Sequence, residues 1–140
     1  MSSSESLIRE IETHYILHWN FKNLRFLPPE LLHERGHHLE ELYLKDNRIA
    51  AIPADLGQFL PNLANLYLPG NELREFPACL RGRRCLRVLD LRHNHIAVLA
   101  GEAVRGCGGE VLVHLVDLDL SDNLLDELPD CVGEIKSNYL

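Results

Sequence analysis

Apolar and polar positions recur along this chain at one spacing. Leu-x-x-Leu-x-Leu-x-x-Asn-x-(Leu/Ile) occurs four times: Leu39-Leu42-Leu44-Asn47-Ile49, Leu63-Leu66-Leu68-Asn71-Leu73, Leu86-Leu89-Leu91-Asn94-Ile96 and Leu115-Leu118-Leu120-Asn123-Leu125. The Leu-x-Leu step has period two, so it predicts a short strand with both leucines on one face and the residue between them on the other. Each Asn falls where the chain turns out of the strand. Its amide both donates and accepts, so it can serve backbone groups that a turn leaves open. One such copy would mean little, because leucine is common. Four copies with matched Asn positions predict stacked units with an Asn ladder at 47, 71, 94 and 123.

The second half of each unit repeats as well. An apolar residue followed by proline recurs at Ile52-Pro53, Phe76-Pro77 and Leu128-Pro129, with Leu99-Ala100 at the corresponding place in the remaining copy. Proline fixes φ and has no N–H, so these return segments predict extended backbone and short helical or 3₁₀ turns rather than internal strands. A degenerate copy precedes the others, with Leu17, Trp19, Leu24, Leu27-Pro28 and Leu31 on core positions, His14 at the first Leu site and Lys22 at the Asn site. Repeats therefore start near 14, 39, 63, 86 and 115, with a glycine-bearing insertion at 101–109 in the unit that begins at Leu86. The expected strands centre near 17–19, 42–44, 66–68, 89–91 and 118–120, parallel and in chain order.

The ends differ from the middle. Residues 1–13 read as an N-terminal capping helix, with a Ser2-x-x-Glu5 capping box and Leu7, Ile8, Ile11 and Tyr15 on one face. The repeat domain then runs over 14–140 with no clear C-terminal cap. The open edge of the last strand, beside Leu124, Leu128, Val132 and Ile135, offers a surface for weak homodimerisation through the C-terminal repeat. A short isoform or a fragment of a longer repeat protein, with a structural or regulatory role, is the alternative reading.

Bulk properties narrow the class. The chain has 140 residues and a formal net charge of −7, which argues against nucleic acid as the partner. Its 46% hydrophobic content reflects the leucine ladder, because no apolar run reaches the length of a bilayer span. The opening Met-Ser-Ser-Ser-Glu-Ser has neither the basic nor the apolar stretch of a secretory signal. Cys79, Cys85, Cys107 and Cys131 lie inside the array, a pattern that fits reduced thiols. A cytoplasmic location is expected, and the nucleus is open to the chain as well. Neither Cys-x-x-Cys zinc spacing nor a nucleophile or phosphate-loop motif occurs, so the expectation is no enzyme, no cofactor and no metal site.

The expected chemistry is binding, and the repeat register lists its surface. The residues between the two strand leucines are His18, Tyr43, Tyr67, Asp90 and Asp119. The column before them includes Glu41, Asn65 and Asp117, and the column after them includes Asn20, Lys45, Pro69 and Arg92. Aromatic groups fill the first half, and carboxylates, partly offset by Arg92, fill the second. The candidate partner-binding set is His18, Tyr43, Lys45, Tyr67, Asp90, Arg92, Asp117 and Asp119. A protein segment with an apolar or aromatic knob beside a basic patch would match it.

Over residues 14–135 the Leu-x-x-Leu-x-Leu-x-x-Asn core with its trailing apolar-Pro pair resembles the intracellular leucine-rich-repeat family. That class includes Ras-suppressor and scribble-type scaffolds and small leucine-rich repeat-containing proteins. The resemblance implies an α/β solenoid, a horseshoe of about five repeats, with parallel strands on the concave face and short helical or 3₁₀ turns on the convex face. It also implies a protein-binding scaffold in signalling or ubiquitin-ligase adaptor roles. It transfers no partner-contact residue, because the shared residues are structural. Ala100 and the long unit from Leu86 depart from the family pattern.

Overall fold

In the computed structural model the described residues are 3–31, 34–53, 55–77, 85–97 and 115–125. One sheet holds five short strands, β1 (Ile16–His18), β2 (Glu41–Tyr43), β3 (Asn65–Tyr67), β4 (Val88–Asp90) and β5 (Asp117–Asp119), in chain order. All neighbours are parallel and in register, with Leu17, Leu42, Leu66, Leu89 and Leu118 in one row. The strands begin a residue earlier than the leucine spacing suggests. The second leucine of each pair, as in Leu44 or Leu68, lies just past the strand end and is still buried.

A parallel three-residue strand makes few ladder bonds, so side chains must hold the stack. The central row of leucines is at most 1% exposed, and Leu39, Leu44, Ile49, Leu68, Leu91 and Ile96 join it in one continuous core. The asparagines supply the polar half of the stacking. Asn71 Nδ2 donates to Leu68 O of its own repeat at 3.1 Å and to Leu44 O of the preceding one at 2.9 Å, while its Oδ1 accepts from Ile49 N at 3.1 Å. Asn47, Asn94 and Asn123 repeat the geometry. Each of the carbonyls of Leu44, Leu68 and Leu91 thus accepts from two asparagines, one in its own repeat and one in the next. Every Asn reaches back to an earlier repeat. Lys22 holds the first Asn site, ahead of which residues 3–13 form a helix in place of a repeat.

Past each strand the chain turns through one residue with positive φ: Phe21, Asp46, Gly70, His93 and Asp122. Asn23 is a second such residue in the first turn. The return segments carry 3₁₀ turns at Pro29–Leu31 and Glu34–Gly36 and the short helix α2 (Leu56–Phe59). Leu31 and Leu56 from these segments are fully buried and close the core opposite the sheet.

The amino-terminal helix α1 (Ser3–Thr13) covers the first repeat. Ile11 is buried in the core, Glu10 Oε2 accepts from Trp19 Nε1 at 3.0 Å, and His38 Nε2 lies 2.7 Å from Ile11 O. Tyr15 does not share the helix face with Leu7, Ile8 and Ile11. The helix ends at Thr13 so that β1 can pair from Ile16, which leaves Tyr15 exposed with its ring edge-on to His38. Ser2 of the expected capping box, the insertion at 101–109, Leu128, Val132, Ile135 and residues 139–140 lie outside the described residues. The expected self-association through the C-terminal repeat falls largely on that same segment.

Candidate binding face

Strand alternation turns the leucines inward and five intervening residues outward. The sheet register places His18, Tyr43, Tyr67, Asp90 and Asp119 in a single row across all five strands. Neighbouring parallel strands lie about 4.8 Å apart, which matches ring stacking. The His18 and Tyr43 rings stack at 4.9 Å and 16°, and those of Tyr43 and Tyr67 at 4.4 Å and 8°. The three rings therefore cover one another's faces. What they present outward is a ridge of ring edges and polar tips, which suits an apolar or aromatic contact from the side.

The phenol of Tyr43 donates to Glu41 Oε1 at 2.8 Å. That bond to the carboxylate, followed by partial burial and the Glu41 charge, pushes the Tyr43 pKa up to about 12. The neutral phenol is thus favoured by folding. Its stabilising effect is full below the unfolded value near 10 and is lost as pH rises towards 12. Ultraviolet titration should show one tyrosine ionising late in the wild type. In Glu41→Gln the late step should move to lower pH, and an unmoved late step would assign the shift to another cause.

The row changes character at Asp90. Arg92 Nε donates to both Asp90 oxygens, at 3.0 and 3.1 Å, and lies 3.7 Å from Asp119 Oδ2. Asp90 and Asp119 also fold back on their own turns, accepting from the N–H of Arg92 and Ser121 at 3.1 and 3.0 Å. Arg92 therefore serves as an internal brace between two carboxylates. Asp117 stands exposed at the outer edge of β5. At the other end Lys45 is exposed, with Nζ 5.8 Å from the Phe21 ring centroid and its backbone N–H bonded to Asn20 Oδ1 at 2.7 Å. All eight residues of the candidate set thus lie on the strand face or its rim. The set omits Glu41, which holds Tyr43, and Phe21, which lies against Lys45.

The sequence profile described as Leucine rich repeat matches residues 37–96, which contain β2, β3 and β4. This is a leucine-rich-repeat fold. The chain is 43% identical over 58 residues to fibromodulin of Oryctolagus cuniculus, a match covering 41% of this chain and 40% of that protein. It is 39% identical over 92 residues to osteomodulin of Bos taurus, covering 64% of this chain and 20% of that one. The chain thus spans two fifths or less of the length of these curated relatives. Among solved structures, a chain of the BIR3–SERK2 complex from Arabidopsis thaliana superposes with a TM-score of 0.63 over 89% of this chain and 66% of that one, at 20% identity. At that identity the likeness concerns the leucine-rich-repeat fold alone.

Among the described residues no group of His, Cys, Asp and Glu side chains is arranged to hold a metal ion, and no helix is long and apolar enough to cross a membrane. Cys85 is an exposed free thiol, while Cys79, Cys107 and Cys131 lie outside the described residues.

Proposed function

We propose that this chain is a non-catalytic protein-binding module that engages its partner across the strand face. His18, Tyr43 and Tyr67 anchor an apolar or aromatic knob, and Asp90, Asp117 and Asp119 receive an adjacent basic patch. Lys45 borders the aromatic end, and Arg92 sets the spacing of the carboxylates. The observation that carries this reading is the unbroken stack of three rings running directly into the acidic part of the same row. Tyrosine ridges beside charged rims suit interfaces, because rigid rings give contact area at little entropic cost. The compartment proposed for it is the cytoplasm or nucleus, where a thiol such as that of Cys85 stays reduced.

Tyr67→Ala should weaken partner binding by about 2 kcal/mol with little change in stability, because the core leucines behind it stay in place. Affinity capture with the wild type and this variant in parallel, followed by titration of the captured protein, checks the expectation. Equal affinity for both forms would remove the strand face from consideration.

A further inference from the structure

The turn after β1 departs from its four counterparts in three independent ways. The positive-φ position that ends each strand carries Asp46, Gly70, His93 or Asp122 in the later repeats, but Phe21 in the first. A bulky side chain is strained in the left-handed region, which Gly, Asn and Asp tolerate far better. Strain of this kind persists only where the surrounding structure holds it, and it clusters at functional sites. Phe21 is 67% exposed, and Phe26, in the bend that follows Leu24, is 70% exposed. The later repeats place Ala51, Glu75, Val98 and Glu127 at the position of Phe26, none of them aromatic. Between the two phenylalanines lie Lys22 and Arg25 with no carboxylate, in a chain whose net charge is −7. Lys45 stands over the Phe21 ring and adds to the local positive charge.

Packing accounts for none of this. The core of the first repeat is filled by Leu17, Trp19, Leu27 and Leu31. The turn is already fixed by backbone bonds from Phe21 N to Lys45 O at 2.9 Å and from Arg48 N to Leu24 O at 2.7 Å, and by Asn47 Oδ1 accepting from the N–H groups of Lys22 and Leu24 at 3.0 Å each. An aromatic ring is not needed to make this turn. Asp46, Gly70 and Asp122 make it without one, and His93 is the only other ring at that place among the described turns.

We infer that the turn 20–26 is a second docking element, which borders the strand face and shares Lys45 with it. It offers Phe21 and Phe26 as apolar contacts to an extended partner segment that combines apolar residues with carboxylates. Lys22, Arg25 and Lys45 pair with those carboxylates, so charge complementarity selects an acidic partner segment, opposite in sign to the basic patch that suits Asp117 and Asp119. Aromatic anchors ringed by charge are the usual composition of an interface hot spot. An anionic bilayer would also meet exposed phenylalanine and lysine, and vesicle binding is therefore the competing outcome of the test.

The test uses the whole chain, immobilised, against a random-peptide display library and, separately, phosphatidylserine vesicles. Selected peptides should combine apolar residues with Asp or Glu. Their affinity should fall about tenfold or more in the double variant Phe21→Asn with Phe26→Ser, and should be unchanged in Tyr67→Ala. Asn tolerates the left-handed conformation, so Phe21→Asn alone should keep or raise the unfolding midpoint while it weakens binding. The inference is overturned if no peptide is enriched, if the enriched peptides are basic or depend on Tyr67, or if the vesicles bind instead. It is equally overturned if Phe21→Asn lowers the midpoint, because the ring would then be a structural support for Lys45.

Discussion

Leu66→Ala is expected to cost about 2–5 kcal/mol of folding stability, enough to consume much of the roughly 5–15 kcal/mol that holds a typical domain folded. Leu66 is fully buried at the centre of the array, with Leu42 on one side and Leu89 on the other in the sheet register. Truncation opens a cavity between two neighbouring repeats at once, and a stacked array relies on those neighbour contacts. The adjacent residue, Tyr67, faces the other way, and its loss should leave the urea midpoint nearly unchanged. The pair therefore tests the two-faced strand in a single comparison. Equal shifts for Leu66→Ala and Tyr67→Ala would mean that the residues have been assigned to the wrong faces.

Asn71→Leu should be the next most damaging change, at about 3 kcal/mol. Leucine fills the site but neither donates nor accepts. The Ile49 N–H then loses its acceptor inside the core, and the carbonyls of Leu44 and Leu68 each lose one of two donors. Those carbonyls keep Asn47 and Asn94, so the damage stays local to the junction between the second and third repeats. Denaturant unfolding of the variant measures the effect. An unchanged midpoint would show that the ladder is not holding the repeats together.

The order and direction of the strands, the Asn ladder and the outward row were legible because each rests on a spacing that no other local structure satisfies. Leu42, Leu66 and Leu89 alternate with polar or aromatic residues, and one Asn per unit marks the exit from the strand. Other features depend on geometry that spacing does not carry. The stacking of His18, Tyr43 and Tyr67 needs in-register pairing and matched ring orientations. The bond from Tyr43 to Glu41 and the bracing of Arg92 by Asp90 and Asp119 depend on which way long side chains turn. Tyr15 fitted a helical period with Ile11, yet strand pairing from Ile16 ended the helix first. Phe21 was within reach of the sequence: aligning the turns sets it against Asp46, Gly70, His93 and Asp122, and it is the one apolar side chain among them.

The strand face as a partner-binding surface can be tested most directly by site-specific photo-crosslinking in cells. A photoreactive amino acid at Asn65, beside the ring stack on β3, samples that face without removing any of its aromatic anchors. The same probe at Gln58, exposed on α2 across the core, samples the opposite side. Discrete protein adducts at position 65 that are absent at position 58 are the predicted result. Adducts at 58 with none at 65 would contradict the assignment of the strand face as the binding surface.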